Sequence, residues 1–284
     1  MARGEFLDVG AERGAFSRAL LAYGYGPGSL IEASPANVAD LERAFEGNAD
    51  VTIHGVAATA EDGHAELHLA ADASGAASPA QNSLRRLDED DSRRWHESVP
   101  VRCRSLDSLA REGAIPSELG LVKIDVEGGD RDVIAGMGAV RCEALMIEFW
   151  SAVDSVEGVC PWTLREIRDL LEPLGLTEFL YVHHRANVGV EVVESEAEPR
   201  HGDWGNLLFM TPHLRRRGAD GIAFVSEWAH RLLAEHASAR EKEEQIQILA
   251  HAAEERLGVI ERLDRARQDH EREIAELRAA LVDS

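Results

Sequence analysis

The chain is 284 residues long, 44% hydrophobic and 29% charged, proportions of a globular protein rather than a disordered one, and long enough for one large domain with an appendage or for two small domains. Its formal net charge of -22 repels nucleic acid phosphates and anionic lipid headgroups, so nucleic acid is not expected as a partner. The cysteines Cys103, Cys142 and Cys160 give neither a disulfide framework nor a metal-ligand spacing, and with no signal-like leader and no apolar run of membrane-spanning length a cytoplasmic location is expected.

From Glu5 to about Thr211, short apolar runs alternate with amphipathic stretches of helical spacing, the pattern of strands and crossover helices in a parallel sheet. The predicted strands are Glu5 to Val9, Ser29 to Ala33, Val51 to Val56, Leu121 to Val126, Ala144 to Phe149, Glu178 to Val182 and Asn206 to Met210, seven in all. Helices are predicted near Ala15 to Ala22, Pro35 to Phe45, Leu106 to Arg111, Asp130 to Ala135 and Trp162 to Leu171, with Pro35 and Pro161 where a first turn tolerates a missing donor. Residues 59–101 break the rhythm. Asp62-Gly63 reads as a hairpin turn between two β-like runs, and the segment is expected to pass over the carboxyl ends of the strands, where it would help enclose a substrate.

This gives a domain over residues 1–212 and an extension over 213–284. The extension has a proline-free stretch dense in Ala, Glu, Leu and Arg, with Ile246, Ala253, Ile260, Ile274 and Leu281 at one heptad position and Leu249, Leu263 and Leu277 at the other. Arg256, Arg267 and His270 interrupt that seam. The expectation is a long helix or two, which either self-associates as a coiled coil or is solvated and docks on the domain or on a partner protein.

Chemistry concentrates at three strand ends. Phe6 to Gly14 is a strand followed by a tight turn whose glycines, Gly10 and Gly14, let a ligand approach the backbone closely. The third glycine of a dinucleotide fingerprint is absent, and Asp8 would clash with a pyrophosphate but suits a cationic ligand such as the amino end of S-adenosylmethionine (SAM). Glu32 stands at the tip of the second strand, about twenty residues on, where an acid accepts both hydroxyls of a ribose. In the fourth strand, charged and apolar residues alternate through Lys123-Ile124-Asp125-Val126-Glu127. The period of two puts Lys123, Asp125 and Glu127 on one face, where ionisable groups are costly unless paired or turned to a cleft.

Asp8 to Gly14, Ile31-Glu32-Ala33-Ser34-Pro35, Asn82-Ser83-Leu84, Ser105-Leu106-Asp107-Ser108-Leu109 and Lys123 to Gly128 together resemble the FkbM-type methyltransferases over roughly Phe6 to Phe149. The resemblance implies an α/β, Rossmann-like, seven-stranded class I methyltransferase sheet, and SAM-dependent O-methylation of a hydroxyl on a small molecule such as a sugar, glycolipid or polyketide. It further implies that Asp8, Gly10, Ala11 and Gly14 hold the methionine part, Glu32 with Ala33 the ribose, the backbone around Ala57 and Ala58 the adenine edge, and Asp125 the methyl end.

Transfer of a methyl group to oxygen asks for an in-line approach, a base for the hydroxyl proton and exclusion of water. Asp125 and Glu127, with Lys123 beside them, are the expected catalytic residues. No metal ligand is assigned; a competing account gives Asp125, Glu127 and Glu148 to Mg²⁺. His183, His184 and His201 are alternative bases, and Trp95, Trp150, Trp162 and Trp204 could stack on a sugar, although aromatic residues are more often core. Two other readings are a methyltransferase-fold scaffold that assembles through its C-terminal helix and an NAD-binding reductase.

Overall fold

The computed structural model describes residues 4–71, 82–84, 94–150, 163–185, 189–193 and 204–217. The heptad pattern after residue 217, His201, Trp162, Pro161, Cys160 and the small-residue run 72–80 lie outside the described residues. The side chains of Trp95, Trp150, His183, His184 and Trp204 do too.

The chain opens on β1 (Phe6–Val9), a strand buried at all four positions. Such a strand belongs inside a parallel sheet covered on both faces. It lies between β2 (Gly28–Glu32) and β7 (Glu118–Ile124), parallel to both. The remaining strands of the large sheet are β3 (Val51–Gly55), β8 (Arg141–Trp150), β9 (Glu178–Arg185), β10 (Gly189–Val193) and β11 (Trp204–Met210). The order is β10-β9-β11-β8-β7-β1-β2-β3. Pairing is parallel from β8 through β7, β1 and β2 to β3, and antiparallel where β11 enters between β8 and β9 and where β10 returns on β9. All seven expected strands are present. β10 is an eighth, formed because β9 runs past Val182 to Arg185 and the chain folds back along it.

Helices α1 (Ala15–Ala22) and α2 (Pro35–Ala44) pack on β2 and β3. Ser34 caps α2, its hydroxyl accepting from the Asn37 N–H, and Pro35 occupies the first turn as expected. Helices α3 (Leu106–Arg111), α4 (Asp130–Ala135) and α5 (Leu164–Leu171) bury Leu106, Val133, Ile134, Ile167 and Leu171 in the main core with Leu7, Val122, Leu145 and Phe209 of the sheet. The last of these helices begins at Leu164, later than predicted. Thr163 and Glu166 close a reciprocal capping box there, which satisfies the first-turn donors without a proline. A short helix, α6 (Pro212–Arg217), follows β11.

The segment expected to leave the rhythm forms a sheet of its own. β4 (Ala57–Ala58), β5 (Gly63–Ala71) and β6 (Arg94–Arg104) assemble in the order β4-β6-β5. Asp62-Gly63 is therefore not a hairpin turn, because β6 lies between the strands it joins. Asp62 instead accepts the Ser105 N–H at 2.8 Å and pairs with the buried Arg104 at 3.1 Å. A carboxylate at this corner thus satisfies the end of β6 rather than reversing the chain. The small sheet has its own apolar cluster of Ala57, Leu67, Val101 and Cys103, with Ala33 and Leu84 packed against it.

Among the described residues no helix is long and apolar enough to cross a membrane.

Candidate active site

The connections from β1 and β7 leave in opposite directions across the sheet, which is the switch point where open α/β sheets bind ligands at their carboxyl edge. Gly10 and Ala11 follow β1 and donate their N–H groups to the Ile31 carbonyl at 2.9 and 3.1 Å. Gly10 has φ +76°, and a Cβ there would lie 1.8 Å from the carbonyl oxygen of Asp125. No other residue permits that approach of the two strand ends. Gly14 caps α1 at φ +75°, against the ring of Phe45.

Register then sets the charges. Asp8 and Lys123 are paired across β1 and β7, so their side chains leave the sheet on the same face. Asp8 is fully buried; the Ser17 hydroxyl donates to Oδ2 at 2.6 Å and the Lys123 ammonium faces Oδ1 at 3.3 Å. The same ammonium donates to the Gly10 carbonyl at 2.9 Å and lies 3.3 Å from Asp125 Oδ2. Burial pushes the Lys123 pKa down, but the carboxylates of Asp8 and Asp125 outweigh it and hold the amine above its ordinary value. Lys123 is thus a charged tie between β1, the glycine turn and the end of β7.

Strand β7 ends at Ile124, earlier than the alternation suggested. Glu127 has φ +51°, so it is brought to the site by a left-handed turn and not by a continued strand. The Ser83 hydroxyl donates to the Glu127 carbonyl at 2.8 Å, and the Ser83 backbone forms a two-way bridge with His68 of β5. The small sheet therefore braces this turn. One carboxylate oxygen from each of Asp125, Glu127 and Glu148 lies within 4.8 Å of the other two. Behind them, Asp130 is buried with Oδ1 unpartnered; burial first and the nearby charge of Asp125 second push its pKa up to about 7.

Glu32 is anchored from below. Its Oε2 accepts the Glu12 N–H and its Oε1 the Ser34 N–H, both at 2.8 Å. Glu12 makes its bond from φ +49°. Burial raises the Glu32 pKa, while the backbone donors of Ser34 and Glu12, the Asn37 side chain and the charge of Lys123 pull it down.

These pieces surround one cavity of about 190 Å³. Of the expected site residues, Gly10, Glu32, Ala33, Ala57, Asp125 and Glu127 line it, whereas Asp8, Ala11, Gly14 and Lys123 are not among its lining residues. The acids Glu12, Glu32, Asp125, Glu127 and Asp132 face it, and the described residues that line it include no Lys or Arg. Val56, Leu67 and Leu84 add apolar walls, and Asn82 joins them from the strap after β5. Sequence reasoning gave no role to Ser17 or Asp130, and none to Asn82 or Ser83 beyond their place in a motif. Ser83 meets Glu127 across 44 residues of chain and Ser17 meets Asp8 from the following helix, contacts that only the fold makes.

Residues 8–176, more than half of the chain, match the family described as the methyltransferase FkbM domain. The chain belongs to the FkbM methyltransferase family. No curated protein matches it significantly. Similar solved structures include precorrin-6y C5,15-methyltransferase from Geobacter metallireducens, 14% identical with a TM-score of 0.36 over 74% of this chain and 81% of that one. Another is the ribosomal protein L11 methylase from Lactobacillus delbrueckii subsp. bulgaricus, 12% identical with a TM-score of 0.37 over 73% of this chain and 69% of that one. The FkbM match runs from the end of β1 to the turn before β9, which includes every residue lining the cavity.

Proposed function

We propose that the chain is a SAM-dependent O-methyltransferase acting on a hydroxyl of a small molecule of the sugar, glycolipid or polyketide type. The observation that carries this reading is the cavity's charge: five carboxylates and no cationic side chain among its described lining residues. Such a lining repels a pyrophosphate and attracts a ligand bearing ammonium and sulfonium groups, which argues against a nicotinamide dinucleotide. The donor set fits SAM. Glu32, fixed by two backbone N–H groups, keeps outward lone pairs for a pair of ribose hydroxyls. Val56, Ala57, Leu67 and Leu84 offer an apolar slot for a purine.

When bound, SAM supplies an electrophilic methyl group. The protein's share is positioning and proton removal. Asp125 and Glu127 accept the hydroxyl proton, each offering a carboxylate oxygen within 4.8 Å of the other and of Glu148. Lys123 fixes Asp125 and the Gly10 turn relative to one another. Asp8 acts through Lys123 rather than on the ligand.

Titration calorimetry with SAM tests the reading. The wild-type chain is expected to bind SAM and not NADH, and Glu32→Ala to weaken SAM by at least tenfold, the loss of about 1.4 kcal/mol or more. Binding of NADH in place of SAM, or a Glu32→Ala variant that binds SAM as well as the wild type, would sink it.

A further inference from the structure

Asn82 stands in a segment whose two neighbours in the fold fix it on both sides. Its Oδ1 accepts the Ala70 N–H at 3.0 Å, beside the bulge between Leu69 and Ala70. An N–H donor there requires the amide oxygen, so the assignment of the two amide ends follows from the bond itself. The amide nitrogen is then the end left over, and Asn82 is half-buried in the cavity lining. The next residue, Ser83, is bonded to the carbonyl of Glu127. Asn82 is thereby tied, through one residue, to the turn that carries the proposed base.

We propose that the Asn82 amide nitrogen donates to the reacting oxygen of the acceptor and makes the site selective for oxygen over nitrogen acceptors. The inference rests on the methyl-transfer reading above. A hydroxyl oxygen has one O–H and two lone pairs. In this site the O–H donates to Asp125 or Glu127, one lone pair accepts from Asn82, and the second attacks the methyl. The new O–C bond forms as the methyl carbon–sulfur bond breaks, the sulfur keeps that electron pair, and the proton passes to the carboxylate. A neutral amine has a single lone pair. Donation from Asn82 would occupy the pair that must attack, so the same geometry holds back an amine.

The test uses the full chain, methyl-labelled SAM, and a panel of methyl glycosides and phenols beside their amino-sugar and aniline counterparts. Product is read by mass spectrometry and SAM binding by calorimetry. The wild type is expected to methylate hydroxyl members and not their amino partners. Asn82→Asp keeps an oxygen for the Ala70 N–H but loses the donor; Asn82→Ala loses the donor without adding charge. Neither should weaken SAM binding by more than about twofold, and Asn82→Asp, which adds a carboxylate to the lining, should if anything tighten it, while turnover on the hydroxyl falls on the order of 10²-fold in both, the usual loss for a donor aimed at a reacting oxygen. Unchanged turnover in both variants overturns the role of Asn82 alone, as does a loss of SAM affinity equal to the loss of turnover. A wild-type chain that methylates only amines, or no member of the panel, overturns the oxygen reading and the Asn82 role with it.

Discussion

Lys123→Met separates the buried tie from everything else in the site, because methionine keeps an unbranched apolar stem and removes only the cation. In its absence Asp8, fully buried, retains the Ser17 hydroxyl at 2.6 Å and loses the ammonium 3.3 Å from Oδ1. Removing one partner of a buried ion pair costs about 3–5 kcal/mol, far more than the pair is worth against a neutral replacement, since the remaining charge stays desolvated. At roughly 2–4 °C per kcal/mol for chains near this size, the melting temperature should fall by about 6–20 °C. Asp8→Asn in the Lys123→Met background removes that stranded charge, and the amide can still accept from Ser17. The double variant is therefore expected to regain most of the loss. Asp8→Asn alone should cost less than Lys123→Met, because Lys123 keeps Asp125 and the Gly10 carbonyl. Thermal or urea denaturation of the four proteins gives the coupling directly. A Lys123→Met variant within about 1 kcal/mol of wild type, or a double variant as unstable as the sum of the singles, would refute the account of Lys123 as a charged tie.

Asp130 makes the stability of the chain depend on pH in a defined direction. Its folded pKa is about 7 against an ordinary 3.8, so between those values the folded state holds a proton that the unfolded state has lost. The stabilisation is complete below the lower value and is lost as pH rises through the upper one, by at most about 4 kcal/mol. Asp130→Asn should flatten the profile between pH 4 and 7 and exceed the wild type in stability at pH 8; parallel profiles for the two proteins would rule this out. Treatment with a chelator tests how the cluster of Asp125, Glu127 and Glu148 is used. Turnover is expected to persist if the carboxylates take the proton themselves, whereas loss restored by Mg²⁺ would assign them to a cation.

Where sequence and structure agree, the signal was local. A glycine whose Cβ, if it had one, would lie 1.8 Å from another strand's carbonyl oxygen and an acid at a strand tip are requirements on single positions, and both Gly10 and Glu32 carry them openly. The parallel strands were equally legible, since a strand such as Phe6–Val9 with no exposed face admits few other roles. The family resemblance read from the same motifs holds across residues 8–176.

What the sequence hid was decided by register and by distant partners. Charge sign was first read from Asp8, yet Asp8 is taken up by Lys123, a residue whose nearness depends on β1 pairing with β7 and not on anything within either segment. The acids that face the cavity come from four separate places in the chain, and only folding shows that no cation lies among the described residues of its lining. Glu127 makes the same point about periodicity. Alternation predicted the right neighbour for Asp125 by the wrong route, because the strand stops at Ile124 and a left-handed turn, braced by Ser83, does the placing. A strand continued to Glu127 would not have needed that brace. The Asn82–Leu84 motif therefore makes physical sense as the far half of the acid turn, which explains why residues so far apart in sequence belong to a single site.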